Sequence, residues 1–203
     1  QIGDRRVQAP GAPAKLSATP WSLSRAAPEI GEHDGDVETT VRKRRHGTGT
    51  PDLPLSGIRV LAFTQAWAGT FATQLLGLLG ADVVQIESCK RPDVWRGAGA
   101  PVPPAVRNPD IEQNPLNNNG MYNTVNLNKR AITLDMANPR GRDMFWRMIP
   151  KFDVLADNFS PHVMGNWGIT METLREHRED IIFASVSGYG TTGPLAEYPA
   201  NGA

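Results

Sequence analysis

The chain is poor in the residues that usually announce chemistry. It has one cysteine among 203 residues, Cys89, so no intrachain disulfide forms and a reducing cytoplasm is the expected compartment. Cys89 follows an apparent strand, and no histidine stands near it in sequence to activate it as a nucleophile. The histidines His33, His46, His162 and His177 are scattered without the spacing of a metal site, so no metal is expected. Net charge is lacking too: 21 Lys+Arg balance 21 Asp+Glu, which removes the global field that nucleic acid or an anionic membrane would attract. No apolar run approaches the roughly 18 residues of a membrane span, and the polar, Pro-rich beginning has no apolar signal segment. Gln1 opens the chain in place of methionine, which suits a piece of a longer protein.

What is present falls into two unlike regions. Up to about residue 54, Pro10, Pro13, Pro20, Pro28, Pro51 and Pro54 interrupt a polar stretch with no sustained period. Proline removes backbone donors and fixes φ, so this region reads as extended chain and turns. Its basic run, Arg42-Lys43-Arg44-Arg45-His46, is either a solvated linker or a phosphate-binding arm.

From Leu55 onward, apolar strands alternate with amphipathic helices. Residues 58–63 and 82–87 read as strands flanking a helix at 69–79, whose Phe71, Ala72, Leu75, Leu76 and Leu79 recur at helical spacing before Gly80. That is a βαβ unit with a right-handed crossover. A long loop over residues 88–120 follows, then a short strand at 131–135. Asn138-Pro139 starts a helix expected to bury Met144, Phe145, Met148 and Ile149. Residues 153–157 and 181–187 read as strands around a helix at 171–178 capped by Thr170. The fold class is therefore α/β, with a Rossmann-like, doubly wound, mostly parallel sheet after the Pro-rich segment.

Such sheets bind ligands at the loops beyond the carboxyl ends of their strands. The first, Thr64-Gln65-Ala66-Trp67-Ala68-Gly69, is either an ordinary turn or a place where small residues and a helix N-terminus approach a phosphate. It lacks G-x-G-x-x-G, which disfavours a nicotinamide enzyme. In the second, Asn158-Phe159-Ser160-Pro161, Phe159 either stacks on a purine or pins the loop to the core. The third, Ser187 to Pro194, is rich in glycine. Lys129 and Arg130 are adjacent cations entering a strand, where one can face a ligand phosphate.

Ordered blocks carry the reading further. Leu55-Ser56-Gly57-Ile58-Arg59-Val60-Leu61, Gln65 to Gly69, and Leu79-Gly80-Ala81-Asp82-Val83-Val84 resemble the opening of family III CoA-transferases of the CaiB/BaiF type. Asn126 to Arg130 with Thr133-Leu134-Asp135 is similar to that family's N-x-N-K-R-x-x-x-L-D segment. Asp153 through Pro161 resembles its D-V-x-x-E-N-F-x-P segment, and Ser185 to Pro194 its S-x-S-G-F-G-x-x-G-P segment. Within residues 1–36, Pro10 to Pro20 and Ala27 to His33 look like the carboxyl-terminal tail of the same family. A tail ahead of a head implies a tandem fusion: tail of one copy at 1–36, linker at 37–54, and the amino-terminal part of a second copy at 55–203.

The resemblance implies an enzyme that moves CoA between carboxylic acids, with a CoA thioester as substrate and no permanently bound cofactor. The implied partners are acyl-CoA, a carboxylic acid, and a second copy in the same chain or in a dimer. Carried over residue by residue, Gln65, Ala66, Trp67, Ala68, Lys129, Arg130, Asn158 and Phe159 match positions lining the CoA site. Trp67 stands where a smaller or polar residue is common, and Asn166 where a basic one is frequent. The family's aspartate nucleophile, which splits the exchange into covalent steps, is matched here by Gly202. That departure leaves two further readings, a non-catalytic half supporting an active copy and the racemase branch, whose histidine-aspartate pair is also missing at this place.

Overall fold

Five short strands line up around a central one whose residues are apolar on both sides. A computed structural model describes residues 53–96, 116 and 119–200; the tail and linker expected before Leu53, and Gly202, lie outside them. The strands are β1 (Arg59–Phe63), β2 (Asp82–Glu87), β3 (Lys129–Thr133), β4 (Val154–Asp157) and β5 (Ile182–Ser185). They pair in parallel in the order β3-β2-β1-β4-β5. In β1, Val60, Leu61 and Ala62 are completely buried, as a central strand covered on both faces requires. The chain runs outward from β1 through β2 to β3, then returns to place β4 on the other side of β1. The chain reverses direction across the sheet between β1 and β4, a switch point of the kind beyond whose carboxyl ends open α/β sheets hold ligands.

Alternation along the strands sends side chains to two different cores. On one face Leu61, Phe63, Val84, Ile86 and Leu155 meet Phe145, Ile149, Met164 and Leu174. These come from α3 (Pro139–Met148) and its terminal 3-10 turn, α4 (Pro161–Asn166) and α5 (Met171–His177). Asn138 caps α3, its side chain accepting from the Arg140 amide at 3.0 Å with Pro139 in the first turn. A reciprocal Thr170–Thr173 box caps α5. The other face is thinner, with Val60, Ala62, Val83 and Ala156 under Leu76 of α1 (Ala68–Leu78).

Several details differ from the sequence reading. Helix α1 turns Gly69, Thr70, Thr73, Gln74 and Gly77 inward and leaves Phe71, Leu75, Leu78 and Leu79 exposed. The reason is spacing: a Cβ on Gly77 would lie 3.2 Å from the Asn128 carbonyl oxygen, so only the small-residue face sits this close to the sheet. Strand β3 begins at Lys129, two residues before the expected start, although Leu134 still donates to the Glu87 carbonyl at 2.8 Å. Helix α2 (Gly120–Val125), capped by Asn119, rises from the end of the stretch read as loop, and α4 was not anticipated. Met144, expected inside, is 45% exposed while Phe145 is fully buried, because 100° per residue carries position 144 off the face shared by 145 and 149.

That difference is testable by urea denaturation. Phe145→Ala should cost about 3–5 kcal/mol, whereas Met144→Ala should stay within about 0.5 kcal/mol of the parent. Equal losses would refute this orientation of α3.

Candidate active site

Beyond the carboxyl ends of β1 and β4, one side chain joins the two loops that leave them. Asn158, just past β4, accepts from the Gln65 amide at 2.8 Å and returns its own N–H to the Gln65 carbonyl at 2.8 Å. The side-chain amide thus completes a ladder rung between the first and second ligand loops. Helix α1 starts hard against this pair: a Cβ on Gly69 would sit 2.7 Å from the Asn158 Cβ. Between Gln65 and the helix, Ala66 takes a left-handed φ of 56°, uncommon for a residue with a Cβ. Asp93 holds it there, one carboxylate oxygen accepting from the Ala66 amide and the other from the Trp95 amide, each at 2.8 Å. Burial pushes the Asp93 carboxyl above the ordinary carboxylate range, and its two amide donors oppose that rise.

A cleft of about 630 Å³ opens over the carboxyl ends of β1, β2 and β3. Phe63, Phe159 and Trp167 make its apolar wall, with ring centroids 5.5 to 6.4 Å apart. Lys90, Arg91 and Asp135 lie on its polar side, with Lys90 bonded to Asp135 at 2.8 Å. Gln65 and Phe159, two of the expected residues, line this cleft, and Asn158 ties their loops together. Phe159 packs against the apolar core, as the pinning role expects, and also presents surface to the cleft.

Lys129 and Arg130 are not part of this lining. As neighbours in a strand they face opposite sides of the sheet. Arg130 forms an exposed ion pair with Asp82, at the start of β2. Lys129 points under α1, donating to the Thr70 carbonyl and to Asn126, each at 2.9 Å. There it borders a second pocket of about 330 Å³ with Arg96, Tyr122 and Asn126.

Four residues of this polar layer were not singled out in the sequence. Glu87 ends β2 and takes a two-oxygen grip from the Arg96 Nε at 3.0 and 2.9 Å. Arg96 also lies over the Tyr122 ring at 3.9 Å, and Asp93 completes the group. A carboxylate at the buried end of strand β2 was the available signal, since a buried charge needs a partner. The third loop does spell G-x-G-x-x-G at Gly188 to Gly193, but no helix follows it among the described residues, so it lacks the N-terminus that would cradle a pyrophosphate. Among those residues, no cluster of His, Cys, Asp and Glu could hold a metal, and no helix is long and apolar enough to cross a membrane.

Burial lowers the Lys129 ammonium from 10.5 to about 8, with Asp93 and Glu87 partly opposing the shift. Between those two values the unfolded chain keeps a proton that the folded chain has released. Stability from this group therefore rises with pH across that window. Urea midpoints should show wild type gaining on Lys129→Met from pH 8 to 10.5, with no change between pH 6 and 7. A flat difference throughout would refute the buried placement.

Comparison with known proteins agrees with this architecture. The sequence profile of CoA-transferase family III matches residues 55–203. The formyl-CoA:oxalate CoA-transferase of Afipia carboxidovorans is 35% identical over 144 residues, covering 70% of this chain and 31% of that protein. The succinate–glutarate CoA-transferase of Agrobacterium fabrum is 34% identical over 145 residues, covering 71% and 35%. The chain thus spans about a third of the length of the curated relatives it matches. A CaiB/BaiF family protein from Brucella suis superposes with a TM-score of 0.62 at 29% identity, over 74% of this chain and 37% of the other. A hypothetical protein from Mycobacterium tuberculosis gives 0.60 at 27% identity, over 75% and 38%. With a five-stranded parallel sheet of this order and a profile match across most of its length, the chain belongs to CoA-transferase family III.

Proposed function

We propose that this chain binds coenzyme A and its thioesters in the cleft beyond β1, β2 and β3, as part of an enzyme that moves CoA between carboxylic acids. The observation that carries the reading is the Gln65–Asn158 clamp, which sets an aromatic wall and two cations around one opening at the switch point. Coenzyme A needs three things from such a site. Its adenine needs an apolar face, supplied by Phe159 and Trp167. Its phosphates need positive charge, supplied by Lys90 and Arg91. Its pantetheine amides need polar partners, a role we give to the Gln65 side chain in the cleft lining, since the Gln65 and Ala66 backbone amides are already held by Asn158 and Asp93. Lys129 supports the site indirectly by holding the Thr70 turn of α1, and Arg130 contributes only its ion pair.

The relatives' names pair formyl-CoA with oxalate and succinate with glutarate, which fits acid exchange as the reaction class. Transfer through an acyl anhydride and an aspartyl thioester requires a carboxylate nucleophile. From Tyr198 to Ala203 the sequence has no Asp or Glu. We therefore assign the chain the binding of CoA, and the nucleophile to a carboxylate outside that stretch, such as one on a second copy.

Isothermal titration of the chain with free CoA tests the assignment. Lys90→Ala together with Arg91→Ala should weaken binding at least tenfold, while Arg130→Ala should leave it within about twofold, the scale of one exposed ion pair. Loss of binding on Arg130→Ala, or none on the double substitution, would move the phosphates elsewhere.

A further inference from the structure

We propose that Lys129 is a site of covalent acylation, its side-chain amine taking the acyl group of a CoA thioester that enters the second pocket. The donor rests on the reading that this chain works among CoA thioesters, and the site itself is separate from the cleft. Lys129 opens β3 and borders the second pocket while half-buried. Its ammonium has three protons to donate. Two are placed, on the Thr70 carbonyl and on Asn126 Oδ1, each at 2.9 Å. The third position meets no acceptor among the described residues, and no carboxylate there pairs with the ammonium. When the amine is neutral, its two protons stay on those oxygens and the lone pair takes the third tetrahedral position. The neighbours thus fix the direction in which the nucleophile faces.

The surroundings also favour the reactive form. Burial lowers the ammonium to about 8, with Asp93 and Glu87 only partly opposing. Both carboxylates are engaged elsewhere, Glu87 by Arg96 and Asp93 by the Ala66 and Trp95 amides. Tyr122, which also borders the pocket, is pushed above its ordinary value by burial and stays a neutral hydroxyl. At pH 7, about one Lys129 in ten is free amine, against about one in 3,000 for an ordinary lysine. Only the free amine attacks a carbonyl. Lys90 is the contrast: it is 78% exposed, but its bond to Asp135 raises it and keeps it charged.

The pocket of about 330 Å³ lies at the small end of ligand sites. It admits an acyl group and its thioester while the nucleotide stays outside. In the step, the nitrogen lone pair adds to the thioester carbonyl carbon and the C–S bond breaks. CoA leaves with that electron pair and, taking up the proton the nitrogen gives up, becomes the free thiol. The product amide is uncharged and keeps one N–H, so either Thr70 or Asn126 loses its bond. Acylation therefore loosens the first turn of α1.

The test incubates the whole chain with acetyl-CoA, and in parallel with the nucleotide-free thioester S-acetyl-N-acetylcysteamine, followed by peptide mapping in a mass spectrometer. Lys90 and Lys151, the other lysines among the described residues, serve as internal controls. Acetyl-CoA should label Lys129 at least tenfold faster than either. Its rate should rise with pH and level off above about 9, while theirs still climb. Asn126→Asp, which sets a carboxylate against the ammonium, should cut Lys129 labelling near neutral pH at least tenfold and leave the two controls unchanged. Equal labelling of the three lysines, a Lys129 rate that keeps climbing with theirs, or labelling undiminished in Asn126→Asp overturns the inference. So does labelling of Lys129 by the small thioester alone, since CoA thioesters then do not reach the pocket. Failure of free CoA to bind in titration, with Lys129 still labelled by acetyl-CoA, refutes the cleft assignment and leaves this one standing.

Discussion

The reciprocal pair between Asn158 and Gln65 is the contact on which the site depends. It joins residues 93 apart in sequence at the point where the strand order reverses. Each bond alone is worth about 1 kcal/mol, but their geometric effect is larger. A planar amide that gives and takes at once fixes both distance and orientation, so the β1 and β4 loops cannot drift independently. The entry to α1 is then pressed against Asn158 at Gly69, and the cleft wall from Phe63 to Trp167 follows from the same alignment. Everything at the carboxyl edge inherits its position from this rung.

Beneath α1 the protein has chosen an unusual filling. Thr64 donates to Gln85 at 2.9 Å, and Gln74 accepts from the Leu127 amide at 3.0 Å. Lys129, Glu87, Arg96 and Tyr122 continue the polar layer outward. Such layers contribute little net stability, because desolvation offsets most of what the bonds return. What they do supply is a single admissible arrangement, since shifting any member strands a partner in a low-dielectric setting. The face carrying Leu61, Phe145 and Leu155 supplies the apolar driving force, and the opposite face supplies the specification.

Much of this was readable before any coordinates. Strands β1 and β2 and the Asn138 and Thr170 caps follow from short-range pattern, because each is decided by residues a few positions apart, and the parallel sheet follows from the alternation of strands with helices. The orientation of α1 was not. Its large apolar residues have a helical period, but a stripe of glycine and threonine can pack more closely on a sheet, and periodicity does not tell which stripe is nearer. Met144 erred by a single helical step of the same kind. For the site, the loops holding Gln65 and Asn158 were named from sequence, but their mutual bond was not, because it is a tertiary fact. Glu87, Asp93, Arg96 and Tyr122 became a group only when a 35-residue separation closed.

Lys129 has one more consequence, and it concerns what the sheet cannot do. Strand β3 lies at the margin of the described sheet, where open backbone groups invite another strand to add. A slip of one residue in its pairing with β2 would exchange Lys129 for Arg130 beneath α1 and turn every other side chain of the strand over. A longer, forked guanidinium does not reproduce the two acceptors that receive the lysine ammonium. The inward lysine therefore acts as a register key, and inward-pointing charge is also one of the ways by which a marginal strand is made a poor template for further growth.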